Sequence, residues 1–225
     1  MHPWEELHPP FGLVLQCGPV EMHPVRMEEI PTLLELISGG IVSPDVPHHP
    51  MMVPFALGED TMERRRASVR FWWSTWTDAR PEKWSFPMTV MRAGEIVGVQ
   101  DISAEDFPAL RSATTGSWLG VRHHGRGTGT LMRQAICMFA FDHLEARELH
   151  SGAFHDNARS IAVSRGVGYQ DNGRELGRRA TGEVDEHVLM RLLPHQLRRP
   201  EYPLEVTGLE PFKAFIGLEG RASER

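Results

Sequence analysis

A chain of 225 residues with 40% hydrophobic and 24% charged side chains can bury one full core, as a single domain or a domain with an appended tail. Its formal net charge is −6 and its basic residues are spread out, not gathered in one stripe, which speaks against nucleic acid as a partner. No apolar run approaches the roughly 18 residues of a membrane span, and residues 1–10 lack a basic start followed by an apolar core, so a cytoplasmic protein with no membrane partner is expected.

Residues 1–10 are polar and proline-rich and read as a mobile arm. Apolar runs at 11–17 and 21–26, broken by Gly18 and Pro19, predict a first strand with a bend or bulge. Ile30, Leu33, Leu34 and Ile37 stand at helical spacing, and Gly39 and Gly40 stop that helix. Residues 41–58 hold Pro44, Pro47, Pro50 and Pro54 beside His48, His49, Met51, Met52 and Phe55. A proline-studded loop with large apolar side chains has to cover something, either the core or a substrate pocket. Asp60 or Thr61 can cap a helix over 61–78, with Val69, Trp72, Trp73 and Trp76 on one broad face.

Residues 86–92 and 95–102 carry a hairpin pattern joined by Ala93-Gly94, and residues 111–119 read as a third strand. Between them Glu105 and Asp106 are adjacent carboxylates, suited to a solvated loop or to a catalytic base. A helix over 131–144 puts Met132, Ile136, Ala140 and Leu144 on one stripe, with Ala135 and Phe139 beside it. Residues 148–154 form a strand parallel to the one before that helix, and Asp156 or Asn157 starts another helix that ends around 166–168. Tyr169 opens a strand, Asp171-Asn172-Gly173 turns, and 183–192 is the last strong strand. The segment from Pro194 onward is too apolar to be a disordered tail, through Leu204, Val206, Leu209, Phe212 and Phe215, and should dock on its own domain or on a second subunit. Cys17 and Cys137 are too few for a disulfide framework and read as reduced packing residues.

The chemistry concentrates in residues 116–130, GSWLGVRHHGRGTGT, where a short β-type run meets a glycine-rich turn that opens a helix. Backbone N–H groups at a helix start lack intrahelical partners and the helix dipole is positive there, so the layout suits phosphate oxygens. A P-loop would need Gly-Lys-Ser/Thr at its end, where the chain has Gly129-Thr130-Leu131. A dinucleotide fingerprint would need a third glycine where the chain has Thr130. The pattern that fits is R-x-x-G-x-G, with Arg122, Gly125 and Gly127. It resembles the acyl-coenzyme A pyrophosphate loop of the GCN5-related N-acetyltransferases (GNAT). Residues 157–169, NARSIAVSRGVGY, resemble the second signature of that superfamily: an asparagine opening a helix, small residues, then Gly-Tyr beginning a strand. Neighbouring His48-His49 and His123-His124 make poor metal chelates, and neither H-E-x-x-H, C-x-x-C nor G-x-S-x-G occurs, so neither a metal site nor a serine hydrolase of the α/β type is expected.

The resemblance implies an α/β (α+β) fold from about residue 11 to 193, with a mixed, mostly antiparallel sheet flanked by helices and residues 194–225 as an extension. It is strongest to the branch that acetylates ribosomal-protein N-termini. Within that branch the chain is most similar to an actinobacterial subgroup that includes a mycobacterial succinyltransferase, through SWLG at 117–120, DNARSIAVSR at 156–165, GYQDNG at 168–173 and the tail at 204–218. The implied activity is transfer of an acetyl or succinyl group from acetyl-CoA or succinyl-CoA to a primary amine, on a small molecule or a peptide, by a homo-oligomer. The alternatives are a non-catalytic acyl-CoA-binding module and an antibiotic-modifying acetyltransferase. The cofactor would lie along Trp118, Leu119, Gly120, Val121, Arg122, Gly125, Arg126, Gly127, Thr128, Gly129 and Thr130, with Asn157, Ser160 and Ser164 on the pantetheine arm. An N–H near Leu119 would stabilise the oxyanion, and Ser164 or Ser160 would protonate the thiolate. Asp106, Glu105 or a water would act as base. Many members of the superfamily have tyrosine where this chain has Ser164. His48, His49, Met51 and Phe55 would contact substrate, with His48, His49, His123 or His124 available to a succinyl carboxylate.

Overall fold

Ala93 and Gly94 both take positive φ, 52° and 79°, as a two-residue hairpin turn demands, and they join β3 (Lys83–Arg92) to β4 (Glu95–Glu105) as the alternating sequence predicts. The structure is a computed structural model that describes residues 4–43, 46, 48, 50 and 60–218. Before the hairpin come β1 (Val14–Cys17), β2 (Val20–Pro24), α1 (Ile30–Ser38) and α2 (Met62–Thr77). After it come α3 (Phe107–Leu110), β5 (Ser112–Leu119), α4 (Thr128–Met138), β6 (Glu148–Phe154) and α5 (Ala158–Val167). The chain then runs through β7 (Gln170–Arg178), β8 (Val184–Leu192), β9 (Leu204–Thr207) and α6 (Leu209–Phe215).

The strands form one nine-stranded sheet in the order β7-β8-β6-β5-β4-β3-β2-β1-β9. Every neighbouring pair is antiparallel except β5 and β6. That pair is parallel because α4 crosses between them. The fold is thus the mixed, mostly antiparallel α/β arrangement expected. Side chains of α4, α5 and α6 join one large core, which includes Ile136, Phe139, Ile161 and Phe212. A second cluster lies under α1 and α2, where Ile30, Leu33, Ile37 and Trp72 meet Val25, Ile41 and Val99, with Trp118 against its edge.

Several elements differ from expectation. Residues 11–26 are not one bent strand but two: Gly18, at φ 53°, lets β1 turn back onto β2. The Asp171-Asn172-Gly173 turn is a register shift within β7, which pairs with β8 to Arg178. Nearly every β7 side chain is exposed, so it carries no apolar alternation to read. On α2 the buried stripe is Ser68, Trp72 and Thr75, and Trp73 is 45% exposed. His8, placed in the N-terminal arm, packs edge-on against both Phe11 and Phe215. The tail docks on its own domain, with β9 pairing along the outer edge of β1. Cys17 and Cys137 are both free and buried.

Candidate active site

β5 and β6 pair over only three positions, from Ser112 opposite Glu148 to Thr114 opposite His150. Beyond them the strands part, while β5 stays bonded to β4 as far as Leu119 and β6 to β8 as far as Phe154. The result is a notch with a strand edge on each wall. Side chains bridge its floor: Ser151 donates to the Thr115 carbonyl at 3.1 Å, and the Thr115 hydroxyl lies 2.8 Å from the Tyr169 hydroxyl.

The glycine loop closes one end of the notch. Gly125 and Gly127 take φ of 72° and 75°, and Gly127 sits at the N-cap of α4 with no side chain to bond the first-turn amides. None of the loop's own hydrogen bonds among the described residues uses the N–H of Gly125, Arg126 or Gly127. A Cβ added at Gly125 or Gly127 would meet nothing within 4 Å, so the space beside the loop is open. Arg92 braces the loop from β3 by donating to the Arg126 carbonyl and the Thr128 hydroxyl.

A cavity of about 470 Å³ runs from this loop along α4 and the start of α5. Trp118, Leu119, Gly125, Arg126, Gly127, Gly129 and Thr130 line it, as do Asn157 and Ser160. Gly120, Val121, Arg122 and Thr128 do not line it but hold the loop's shape. The N–H of Gly120 donates to Val97, that of Val121 to Gly40, and Arg122 Nε donates to His123 Nε2 at 2.9 Å. His124 also lines the cavity and donates to the Leu119 carbonyl at 3.0 Å. Asn157 caps α5 by accepting from the Ser160 N–H at 3.2 Å. Its amide NH₂ has no hydrogen-bond partner among the described residues. Ser164 borders neither cavity: it is 0% exposed, behind Arg133, whose Nη1 is 3.5 Å from its hydroxyl.

A second cavity, of about 380 Å³, opens on the α2 side of the sheet and shares Ser117, Trp118, Arg133, Asn157, Ser160 and Pro50 with the first. Its floor is Asp101 on β4, one residue-pair along from Val99 and on the same face. Ser85 donates to Asp101 Oδ1 at 2.9 Å, and the carboxylate has no ion-pair partner among the described residues. Burial pushes its pKa up to about 6, against the downward pull of hydrogen bonds from Ser85 and Ser103. His187 on β8 borders the same cavity, 9% exposed, with its ring edge-on to Phe154. The imidazole fits because residue 152 is glycine, where a Cβ would come within 2.3 Å of its Cε1. Phe71 and Trp72 form the opposite wall.

Other expected site residues lie elsewhere. Asp106 sits at the far end of β4, roughly 27 Å from Gly98 at 3.4 Å per residue, and Gly98 is the partner of Leu119. Its carbonyl caps α3, and the neighbouring Glu105 pairs with Lys83, so neither carboxylate reaches the notch. His48 is 54% exposed and lies 3.8 Å from Glu183 at the β7–β8 turn. His49, Met51 and Phe55 lie outside the described residues. From the same loop Val46 and Pro50 do line the first cavity. His123 is buried, and burial, then the charges of Arg122 and Arg126, lowers its pKa, which leaves the ring neutral at pH 7. Asp101, Arg133 and His187 were missed. Asp101 and Arg133 had a signal, each a charged residue inside an otherwise apolar strand or helix stripe.

A family model described as acetyltransferase (GNAT) domain matches residues 20–170. The chain is similar to the solved structure of Mycobacterium smegmatis RimJ in complex with CoA-disulfide, at 20% identity and TM-score 0.67 over 95% of this chain and 97% of that one. It is similar to RimL, a ribosomal L7/L12 alpha-N-protein acetyltransferase in complex with coenzyme A, at 17% identity and TM-score 0.61 over 78% and 94% of the two chains. It is also similar to spermidine N-acetyltransferase from Vibrio cholerae in complex with CoA and spermine, at 13% identity and TM-score 0.60 over 79% and 97%. At these identities the likeness is one of fold.

Proposed function

The chain belongs to the acetyltransferase (GNAT) family, and from this we propose that it transfers an acyl group from an acyl-coenzyme A to a primary amine. The observation that carries the reading is the pair of cavities meeting in the β5–β6 notch, one reaching unpaired loop amides and the other a carboxylate without a cation. The residues present fit the donor. The loop amides and the N-terminus of α4 would hold the pyrophosphate, while the β5 edge and the Asn157 amide suit the amide groups of a pantetheine arm. Bound acyl-CoA supplies the thioester. Phe71, Trp72 and Trp118 with Asp101 form a wall and floor suited to an ammonium-bearing acceptor, whether a protein N-terminus or a polyamine. Asp101 takes the proton that frees the amine lone pair, and Ser160, which borders both cavities, hydrogen-bonds the departing sulfur in this reading.

Gly127→Val should weaken coenzyme A binding at least tenfold, about 1.4 kcal/mol, in a calorimetric titration. A β-branched residue at φ 75° is strained, and its side chain would fill open space beside the loop amides. Wild-type affinity in this variant would place the phosphates elsewhere. Thiol release with a panel of amines and both acetyl-CoA and succinyl-CoA separates catalysis from mere binding: binding without release for every pair would leave only a CoA-binding module.

A further inference from the structure

A guanidinium removed from water needs an anion or several dipoles around it. Among the described residues the protein buries two such groups and treats them differently. Arg179, 2% exposed, lies between the carboxylates of Asp156 and Asp185, each at 2.8 Å. Arg133, 3% exposed, has no carboxylate partner among the described residues. Its contacts are hydroxyls: Nη2 donates to Ser117 at 2.7 Å and Nη1 to Ser151 at 3.0 Å, while Nε has no acceptor among the described residues. Ser151 donates its own hydroxyl hydrogen bond to the Thr115 carbonyl, but the hydroxyls of Ser117 and Ser164 have no acceptor among the described residues.

A guanidinium flanked by spare hydroxyl donors is a donor set that a carboxylate matches. Arg133 and Ser117 both border the two cavities, so the group stands where donor and acceptor meet. Phosphates are not the missing anion. Their amide donors lie at the start of α4, and Arg133 comes six residues after Gly127, roughly 9 Å along the helix axis.

We propose that Arg133, together with Ser117, receives a carboxylate carried by one of the substrates, an assignment that rests on the acyltransferase reading above. Two substrates can bring it. One is an acyl-CoA whose chain ends in a carboxylate, as succinyl does. The other is an acceptor that is both amine and acid, such as an α-amino acid, whose ammonium would turn to Asp101.

The donor arm of the test compares succinyl-CoA with butyryl-CoA, which has the same chain length and a methyl group in place of the carboxylate. Calorimetry on the wild-type protein should give at least tenfold tighter binding of succinyl-CoA, with the ratio falling to near one in Arg133→Met and only partly in Arg133→Lys. The acceptor arm compares kcat/KM for alanine and alaninamide with acetyl-CoA as donor, with the same two variants. A carboxylate advantage on either arm that Arg133→Met abolishes supports the proposal and names its source. Should Arg133→Met fail to fold, Ser117→Ala is the second variant, expected to reduce the ratio severalfold. Coenzyme A binding with no carboxylate advantage on either arm of the wild type overturns the proposal alone. Absence of coenzyme A binding overturns the acyltransferase reading and the proposal with it.

Discussion

Asp101→Asn should lower kcat/KM for acyl transfer by roughly 10²–10⁴-fold, the range that general acid–base catalysis contributes, with coenzyme A affinity left nearly intact. The substitution is close to isosteric and keeps an oxygen for the Ser85 hydroxyl, so the cavity retains its shape while the floor loses its proton acceptor. Asparagine cannot take a proton from an incoming ammonium. Because burial raises the Asp101 pKa to about 6, the wild-type rate should climb with pH through that value as the carboxylate forms, and the climb should vanish in the variant. Stability should move the other way. A folded-state pKa above the unfolded one means that the folded state holds the extra proton between about pH 4 and 6, so this residue's contribution to stability falls as pH rises through that window. At pH 7 the neutral variant should therefore melt above wild type, which separates lost chemistry from lost structure. A variant with wild-type turnover, under conditions where chemistry limits the rate, would remove Asp101 from the mechanism.

The sheet and the loop were readable because their signals are local. Ala93-Gly94 between two alternating runs marks a hairpin, and glycines at 125 and 127 before an amphipathic helix mark a turn that frees amides. The second cavity was not readable because it is assembled from distant elements. Asp101 and Asp106 are five positions apart on one chain, and adjacency to a loop drew attention to Asp106. Only the register, with Gly116 opposite Asp101 and Leu119 opposite Gly98, shows which end of β4 reaches the notch. Ser164 shows the same limit at shorter range: the motif places it on the helix, but the rotation of α5 turns it toward Arg133 instead of the open cavity. The strand opened by Tyr169 reads as ending in a turn at 171–173, where β7 continues to Arg178, because a polar edge strand has no buried face to impose alternation.

Phe212→Ala should cost about 3–5 kcal/mol, a large share of the roughly 5–15 kcal/mol that holds a folded protein together. Phe212 comes from the tail yet is 0% exposed, with its ring edge-on to Phe86 of β3 at 5.1 Å and to Phe139 just after α4 at 5.6 Å. Two features force α6 to deliver it there. β9 adds to the free edge of β1, and Gly208, at φ 73°, turns the chain so tightly that a Cβ would lie 2.2 Å from the Gly12 carbonyl oxygen. Truncating the ring leaves a cavity between rigid aromatic neighbours, which cannot collapse without moving β3 or the end of α4. Urea denaturation should show a lower midpoint with an unchanged slope if the tail unfolds together with the sheet. Leu110→Ala, at a site 59% exposed, should shift stability by less than about 0.5 kcal/mol and serves as the control. An unchanged midpoint in Phe212→Ala would mean that residues 204–218 unfold before the sheet does. A separate early transition would mean the same, and the β1 edge would then stand open in the last folded species. In the cooperative case the tail supports the C-terminal end of the same helix whose N-terminus presents the loop amides, so saturating coenzyme A should raise the midpoint of both proteins by the same free energy.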